Sequence, residues 1–324
     1  MAKKFKDLEM NNPSVVTALL LDVEERQTKN GGSYCRLTLS DGADKIVAIM
    51  WDTKEESLAP YKRTLVSAAV TAGVYQGGTS YTVSVIREAP ATEHIEDYIE
   101  SAPFKSEEMY EGILSMLEEA TDKRNPLVQL AGRIFEENRE SLYRWSAAKA
   151  VHHNCYGGLL YHTYRMMEAA VNLLRVYPVT AEVLLPAVML HDIGKIRELD
   201  TDELGISDYT EDGNLLGHTL IGISMVDEMA KTLFGTQMGE EACEQIRQLK
   251  HAIAAHHGKP EWGAIAAPAT REAMLLHELD MIDSRFYQFE KIEEGLEPGS
   301  MSERINTLDG VKVYHPIFSN RTAG

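Results

Sequence analysis

The sequence predicts a multidomain α+β protein, in which a small N-terminal β-barrel of five strands precedes an all-α helical bundle. Up to about residue 88, short runs rich in β-branched residues alternate with glycine-containing turns. Beyond about residue 106, apolar residues recur every three or four positions, which is the period of an amphipathic helix. The length of 324 residues is enough for two domains that each bury a core of their own.

The first domain is predicted to span residues 1–90. The expected strands are 15–23, 34–39, 46–51, 65–74 and 81–86. Turn signals at 29–32, 40–42 and 76–78 separate the strands, and each contains glycine. Five short strands joined in this way favour a small closed barrel.

The second strand alternates between an apolar row and a row with aromatic and basic members. The apolar row is Cys35, Leu37 and Leu39, and the other row is Tyr34, Arg36 and Thr38. Because side chains alternate between the two faces of a strand, the apolar row should face inward. Tyr34 would then stack on a base and Arg36 would meet a phosphate, with Trp51 and Tyr81 as weaker candidates for nucleic-acid contact. The alternative is a barrel that serves only as a docking module.

The remaining chain is predicted to be helical. Residues 91–125 form a linker with one helix over 106–120, residues 126–310 form the bundle, and 311–324 form a C-terminal tail without periodicity. The expected bundle helices are 126–138, 140–150, 158–176, 181–192, 218–233, 240–257 and 268–292. The polar stretch 198–214 is interpreted as a surface loop.

Composition limits the class of protein. The net charge of −18 argues against a broad basic surface for duplex nucleic acid. Residues 1–90 balance 11 basic against 11 acidic side chains, so this deficit lies in the rest of the chain, and the barrel would tolerate a polyanion. Three cysteines without CxxC spacing indicate neither a disulfide framework nor a thiolate zinc site. With neither a signal-like segment nor a long apolar run in view, a cytoplasmic protein without membrane partners is expected.

The most informative feature is His191-Asp192, which ends the apolar run 188–190. An ionised aspartate is costly to bury there unless a positive charge compensates it. Further donors lie at intervals that suit a helical bundle rather than a zinc finger, namely His162, His218, His256 and Asp280. Together these side chains predict one metal centre.

Several alternatives remain open among these donors. His162 taken alone is more typical of a hydrogen-bonded core histidine. His257 is adjacent to His256 and competes with it as a ligand. Asp283 lies one helical turn beyond Asp280 and competes with it in the same way, and a solvated carboxylate is the default interpretation for either aspartate.

The motifs "GGLLYHT", "LHDIGKIREL", "GHTLIG", "LKHAIAAHHGKPEWG" and "LLHELDMIDSR" resemble those of the HD superfamily of metal-dependent phosphohydrolases over about residues 145–295. The segments "YCRLTLSDGADKIVAIMWD" and "VYQGGTSYTV" resemble an OB-fold of the nucleic-acid-binding type. In combination the chain is similar to the YhaM-type 3′-to-5′ exoribonucleases over nearly its whole length.

This resemblance implies a ligand set for two divalent ions. The first ion would be held by His162, His191, Asp192 and Asp280, and the second by His218 and His256 together with a bridging Asp192. Asp192 and Lys195 are the residues with an implied catalytic role, because Lys195 would stabilise charge on the phosphate oxygens. The alternative for Lys195 is a surface lysine that follows the end of a helix.

The donor types indicate the metal and the chemistry. Mixed imidazole and carboxylate ligands suit Mn²⁺, Fe²⁺, Co²⁺ or Zn²⁺ better than Mg²⁺, and Mn²⁺ is preferred here. Two ions about 3.5–4 Å apart would share a hydroxide that attacks the phosphate while the ions neutralise the leaving oxygen.

The expected function is therefore a metal-dependent 3′-to-5′ exoribonuclease that degrades single-stranded RNA, with single-stranded DNA open as a further substrate, to nucleoside monophosphates. The first alternative is a phosphohydrolase of mononucleotides or signalling nucleotides, since a fold does not fix its substrate. The second is a non-catalytic nucleic-acid-binding protein with a remnant metal site. The sequence leaves open whether the chain is a monomer or a homo-oligomer.

Overall fold

In a computed structural model, the structure describes residues 4–28, 31–75, 78–147, 155–202, 204–205, 207–235 and 238–318. The chain divides into two compact units, Met1–Ser101 and Ala102–Gly324. The first unit holds a closed barrel and the second is mainly helical, so the predicted α+β class is confirmed. Among the described residues, no helix combines the length and the apolar character that crossing a bilayer requires.

The first unit is a five-stranded barrel. Its strands are β1 (Ser14–Gln27), β2 (Ser33–Ser40), β3 (Lys45–Trp51), β4 (Leu65–Tyr75) and β5 (Gly78–Glu88). They close in the order β1-β2-β3-β5-β4, in which only the β3–β5 pairing is parallel. A short helix, α1 (Glu55–Leu58), lies between β3 and β4. This arrangement confirms the predicted OB-like barrel.

The alternation in β2 places one row of its side chains on the inner surface of the barrel. Cys35, Leu37 and Leu39 are fully buried, whereas the intervening Arg36 is exposed. Each buried leucine contributes about 1.5–3 kcal/mol relative to an exposed one. The inward row predicted from the sequence is therefore confirmed.

The second unit contains nine of the described helices. They are α2 (Ser106–Ala120), α3 (Pro126–Glu137), α4 (Arg139–Arg144), α5 (Gly158–Leu173), α6 (Ala181–Leu190), α7 (Lys195–Glu198), α8 (Glu211–Phe234), α9 (Glu240–Ala255) and α10 (Arg271–Glu294). Helix α6 packs against α3, α5, α9 and α10. Every residue from Val183 to Leu190 is buried, which marks α6 as the central helix of the bundle. The functional motif at 191–192 follows directly from this buried end.

Three expectations in the helical unit are wrong. The helix predicted over 140–150 ends already at Arg144. The polar stretch 198–214 is not simply a loop, since it contains a hairpin of β6 (Leu199–Thr201) and β7 (Ser207–Tyr209) and the first turn of α8. In the supposed tail, β9 (Val311–Tyr314) pairs with β8 (Met301–Ile305). Strands of three to five residues are too short to show a period-2 pattern.

Some predicted features fall outside the described residues. These are parts of two barrel turns, at 29–30 and 76–77, and the end of the chain at 319–324. His152 and His153, two further histidines that precede the predicted donor His162 in the chain, also lie outside them.

Candidate metal centre

The centre is built where the buried helix α6 ends. His191 and Asp192 follow Leu190 directly, and both side chains are buried. Two residues later, a Cβ on Gly194 would lie 2.0 Å from the carbonyl oxygen of His218. Only glycine therefore allows the turn after α6 to approach α8 so closely, and this approach brings His218 to Asp192.

Asp192 lies between two groups of histidines. Its Oδ2 is 3.3 Å from Nε2 of His191 and 3.8 Å from Nε2 of His162. Its Oδ1 is 3.4 Å from Nε2 of His218 and 3.8 Å from Nε2 of His256. Each carboxylate oxygen thus faces two imidazole nitrogens, which is the placement that a carboxylate bridging two cations would need.

Two further donors complete the cluster. Asp280 of α10 places Oδ1 3.4 Å from Nε2 of His162. His257 places Nε2 3.1 Å from Nε2 of His218, and its ring centroid is 4.0 Å from that of His256. The structure therefore brings together all six predicted donors and adds His257, which was predicted only as an alternative to His256. The sequence signal for His256 and His257 was a pair of adjacent histidines at the end of a helix.

Six of the seven donors, all except Asp280, form two groups, each close enough to share one ion. The first is His162, His191 and Asp192, and the second is His218, His256 and His257. Within each group one potential ligand atom from every residue lies within 4.8 Å of the others. Five imidazoles and two carboxylates, with no thiolate among them, form a donor set that suits borderline divalent ions.

Hydrogen bonds fix which nitrogen of each ring faces the centre. The Nδ1–H of His191 donates to the carbonyl of Val188 at 2.9 Å, and that of His256 donates to the carbonyl of Ile253 at 2.6 Å. A carbonyl only accepts hydrogen bonds, so Nδ1 must carry the hydrogen in both rings. In each neutral ring Nε2 then presents a lone pair to the centre, as a metal ligand does.

The same reasoning applies to His162, whose Nδ1–H donates to Oδ2 of Asp283 at 2.7 Å. Its Nε2 is 3.2 Å from Nε2 of His191. Two neutral rings would therefore point lone pairs at each other inside the protein, which is unfavourable unless a cation or a proton lies between them.

The pKa values agree with this requirement. Burial lowers the pKa of His162, but hydrogen bonds and charge from Asp280 and Asp283 outweigh it and raise the pKa to about 10. In the absence of a metal, His162 therefore keeps a proton at neutral pH. Burial and the neighbouring His257 hold the pKa of His256 well below its usual value, so that ring remains a neutral ligand.

Two polar atoms at the centre lack hydrogen-bond partners among the described residues. They are Oδ1 of Asp192 and Nε2 of His256, and both are buried. Buried polar atoms without a partner are rare, and an ion is one of the few explanations for them. The residues present therefore fit a divalent metal.

Lys195 lies beside this centre rather than on the surface. Its Nζ donates to Oδ2 of Asp192 at 2.7 Å, and its side chain is only 9% exposed. Burial raises the pKa of Asp192, but Lys195 and His191 outweigh burial and hold it well below its usual value. Lys195 thus keeps Asp192 ionised.

Of the four barrel residues predicted to contact nucleic acid, three lie together on the exposed face and one does not. Tyr34 and Trp51 are paired across β2 and β3, with ring centroids 5.2 Å apart, and Trp51 is 54% exposed. Arg36 lies two residues from Tyr34 on the same exposed face, 3.9 Å from Glu24. Tyr81 instead packs against the buried core of the barrel. The structure thus separates Tyr81 from the exposed aromatic and basic row.

Comparison with known proteins identifies relatives over nearly the whole chain. The HD domain family matches residues 159–285. The 3′-5′ exoribonuclease YhaM of Listeria monocytogenes serotype 4b is 31% identical over 98% of this chain and 100% of its own length. The YhaM of Bacillus licheniformis is 33% identical over 89% of this chain and 90% of its own.

Solved structures that match part of the chain include an OB-fold domain. It is the second OB-fold domain of replication protein A from Methanococcus maripaludis, with 20% identity, 29% of this chain covered, all of that domain covered and a TM-score of 0.23. From the full-length relatives, the chain belongs to the YhaM 3′-5′ exoribonuclease family and is a nuclease of the hydrolase class that carries an HD domain.

Proposed function

We propose that this chain is a metal-dependent 3′-5′ exoribonuclease that releases nucleoside monophosphates from single-stranded RNA. The observation that carries the metal dependence is the pair of ring nitrogens of His162 and His191, 3.2 Å apart with both Nδ1 atoms committed as donors. Direction and RNA substrate are taken from the relatives, which are 3′-5′ exoribonucleases by name.

Two divalent ions fit the two groups of donors, and Mn²⁺ is the proposed ion. One ion would be held by His162, His191, Asp192 and Asp280, and the other by His218, His256 and His257 with Asp192 shared. Such ions lower the pKa of water and neutralise charge on a phosphodiester, so no protein nucleophile is needed.

The chain's own residues prepare the centre for this chemistry. Lys195 keeps Asp192 ionised, and as a buried cation 2.7 Å from Asp192 it is the side chain proposed to stabilise negative charge on the phosphate oxygens. Backbone carbonyls three residues earlier in the chain accept from Nδ1–H of His191 and His256, so that Nε2 of each ring faces the centre. Neither ring therefore needs to rotate when an ion binds. Asp192 and Lys195 are therefore the proposed catalytic residues.

The barrel is proposed to bind the RNA strand. Tyr34 and Trp51 offer partly exposed rings on which bases stack without regard to sequence, and Arg36 offers a positive charge to the backbone. Tyr81 is left out of this proposal because it packs against the barrel core.

The test uses 5′-end-labelled single-stranded RNA with Mn²⁺, and the products are separated on a sequencing gel. The wild type should shorten the RNA stepwise from its 3′ end, and Asp192→Ala should leave it intact. Asp227→Ala, a surface aspartate on α8 that pairs with Lys250, is the matched control and should digest normally. Single-stranded DNA of the same sequence measures the preference between the two polymers.

Other outcomes would favour the alternative functions. Intact RNA beside rapid hydrolysis of mononucleotides would replace this proposal with a nucleotide phosphohydrolase. RNA binding without hydrolysis of either substrate in Mn²⁺, Fe²⁺, Co²⁺ or Zn²⁺ would indicate a non-catalytic binding protein. We further propose a cytoplasmic location, in accord with the free thiols of Cys35 and Cys243.

A further inference from the structure

We propose that Asp283 and Glu198 are positioning residues, each of which orients a ligand histidine for a different one of the two ions, so that the two ion sites are set independently. This inference rests on the metal centre proposed above. Neither carboxylate belongs to the proposed ligand set, and each lies behind a histidine on the side away from the centre.

Asp283 is held from both of its oxygens. It lies on α10, one turn beyond the proposed ligand Asp280. Its Oδ2 accepts from Nδ1–H of His162 at 2.7 Å, and its Oδ1 forms an ion pair with Nε of Arg165 at 2.6 Å. Arg165 is in turn fixed, because its guanidinium also donates to Glu290 at 2.8 Å. The carboxylate therefore cannot rotate away from His162 without breaking an ion pair.

Glu198 accepts two hydrogen bonds from His218. It is the last residue of α7, and its Oε1 accepts from the backbone N–H of His218 at 2.9 Å and from Nδ1–H of the same residue at 3.1 Å. Burial raises the pKa of Glu198, but the hydrogen bonds and charge of His218 outweigh it and lower the pKa below its usual value. Both the ring and the main chain of His218 are thus oriented by one oxygen.

This double contact depends on a break in α8. Gly217 has φ 71° and ψ 156°, a conformation that is essentially restricted to glycine. The break turns the N–H of His218 out of the helix and toward Glu198. Earlier in the helix, a Cβ on Gly213 would lie 2.1 Å from the carbonyl oxygen of Glu198, so glycine is also needed for α7 and α8 to approach each other.

The two contacts serve different ions. His162 belongs to the first group of donors and His218 to the second. The partners of His191 and His256, by contrast, are backbone carbonyls. A carboxylate accepts more strongly than a carbonyl and makes the opposite nitrogen a better ligand, which changes metal affinity by about 10–100-fold. Each ion therefore has one histidine that a carboxylate supports.

The test starts from full-length protein that has been freed of metal with a chelator, which is then removed. This protein is titrated with Mn²⁺, and the free ion is measured by its electron paramagnetic resonance signal. The wild type should bind two ions. Asp283→Asn and Glu198→Gln should each lower the affinity for one ion by about 10–100-fold and leave the affinity for the other ion unchanged. The double variant should weaken both ions, whereas carboxylates that act on the same ion would leave one tight site.

Two matched controls lie on α8. Asp227→Asn and Glu228→Gln also neutralise a carboxylate that pairs with a cation, but at the surface, and both should bind two ions as tightly as the wild type. High Mn²⁺ concentrations should restore RNA digestion to Asp283→Asn and Glu198→Gln, which a merely unfolded variant would not allow. If Asp283→Asn does not fold, Asp283→Glu displaces the same carboxylate and should weaken the same single ion.

The failures are distinguishable. A wild type that binds no Mn²⁺ overturns the proposed metal centre itself. A wild type that binds two ions overturns only the present inference if either single variant keeps both affinities, or if the double variant retains one tight ion.

Discussion

Removal of the charge on Asp192 should destabilise the metal-free protein through Lys195. The two side chains are 5% and 9% exposed and meet at 2.7 Å. The lowered pKa of Asp192 means that its ionised form stabilises the folded state at every pH well above the unfolded value of about 3.9, and hence fully at pH 7.5. Asp192→Asn therefore leaves a buried ammonium without its counter-charge.

The expected cost follows from that burial. Breaking a buried ion pair from one side costs about 3–5 kcal/mol. Glu198 also interacts with Lys195, so part of the charge remains compensated, and the lower end of the range, about 3 kcal/mol, is expected. For a unit the size of Ala102–Gly324, about 2–4 °C is lost per kcal/mol, which gives a decrease in Tm of about 6–12 °C.

Differential scanning calorimetry in excess chelator measures this effect without a contribution from metal loss. The double variant Asp192→Asn with Lys195→Met removes the unpaired ammonium and should recover most of the lost Tm, while its nuclease activity should remain absent. The reasoning is refuted if Asp192→Asn melts within about 2 °C of the wild type, which is below the expected shift, or if the double variant is no more stable than the single one.

Three further predictions concern the backbone, the proton at the centre and the barrel. Gly217→Ala should cost about 1–3 kcal/mol of stability because φ is 71° there, whereas Gly132→Ala in α3, where a Cβ meets nothing within 4 Å, should be neutral or stabilising in the same melting assay. In chelator, Tm should fall as pH rises from 6.5 toward 10: the raised pKa of His162 means that the folded state keeps a proton that the unfolded chain loses. Saturating Mn²⁺ should flatten this slope, and equal slopes in chelator and in Mn²⁺ would contradict the proton's location. Trp51→Ala should weaken binding of long single-stranded RNA in chelator by about 1–3 kcal/mol, with Trp51→Phe as the conservative control, and unchanged fluorescence anisotropy in Trp51→Ala would exclude its stacking role.

Much of the architecture was predictable because its signals are local. Period-2 alternation at Cys35, Leu37 and Leu39 identified the inner face of β2, and the same residues are fully buried. The apolar run before His191 and Asp192 identified a buried helix end, and α6 is the central helix of the bundle. In both cases, residues close in the chain carry the whole pattern.

Other features were not predictable because they depend on partners distant in the chain. Glu198 gave no signal of its contact with His218, which lies 20 residues away and beyond a hairpin. Asp283 was weighed as a ligand, but its partner His162 is 121 residues away. Tyr81 was grouped with the exposed aromatic residues, although in the structure it packs against the core of the barrel. A register shift at Ala69/Val70 interrupts the pairing of β4 with β5, so the inward or outward direction of Tyr81 cannot be read from simple alternation along β5.

The sequence by itself determined the two-part architecture, the buried helix end and the donor types from which a metal centre can be built. The tertiary structure decided how those donors are grouped, which nitrogen of each imidazole faces the centre, and that His257 lies beside His256 at the same site. The physical reason is the range of the interactions. Periodicity and turn chemistry act within a few residues, whereas the orientation of an imidazole is set by whichever acceptor the folded chain places behind it.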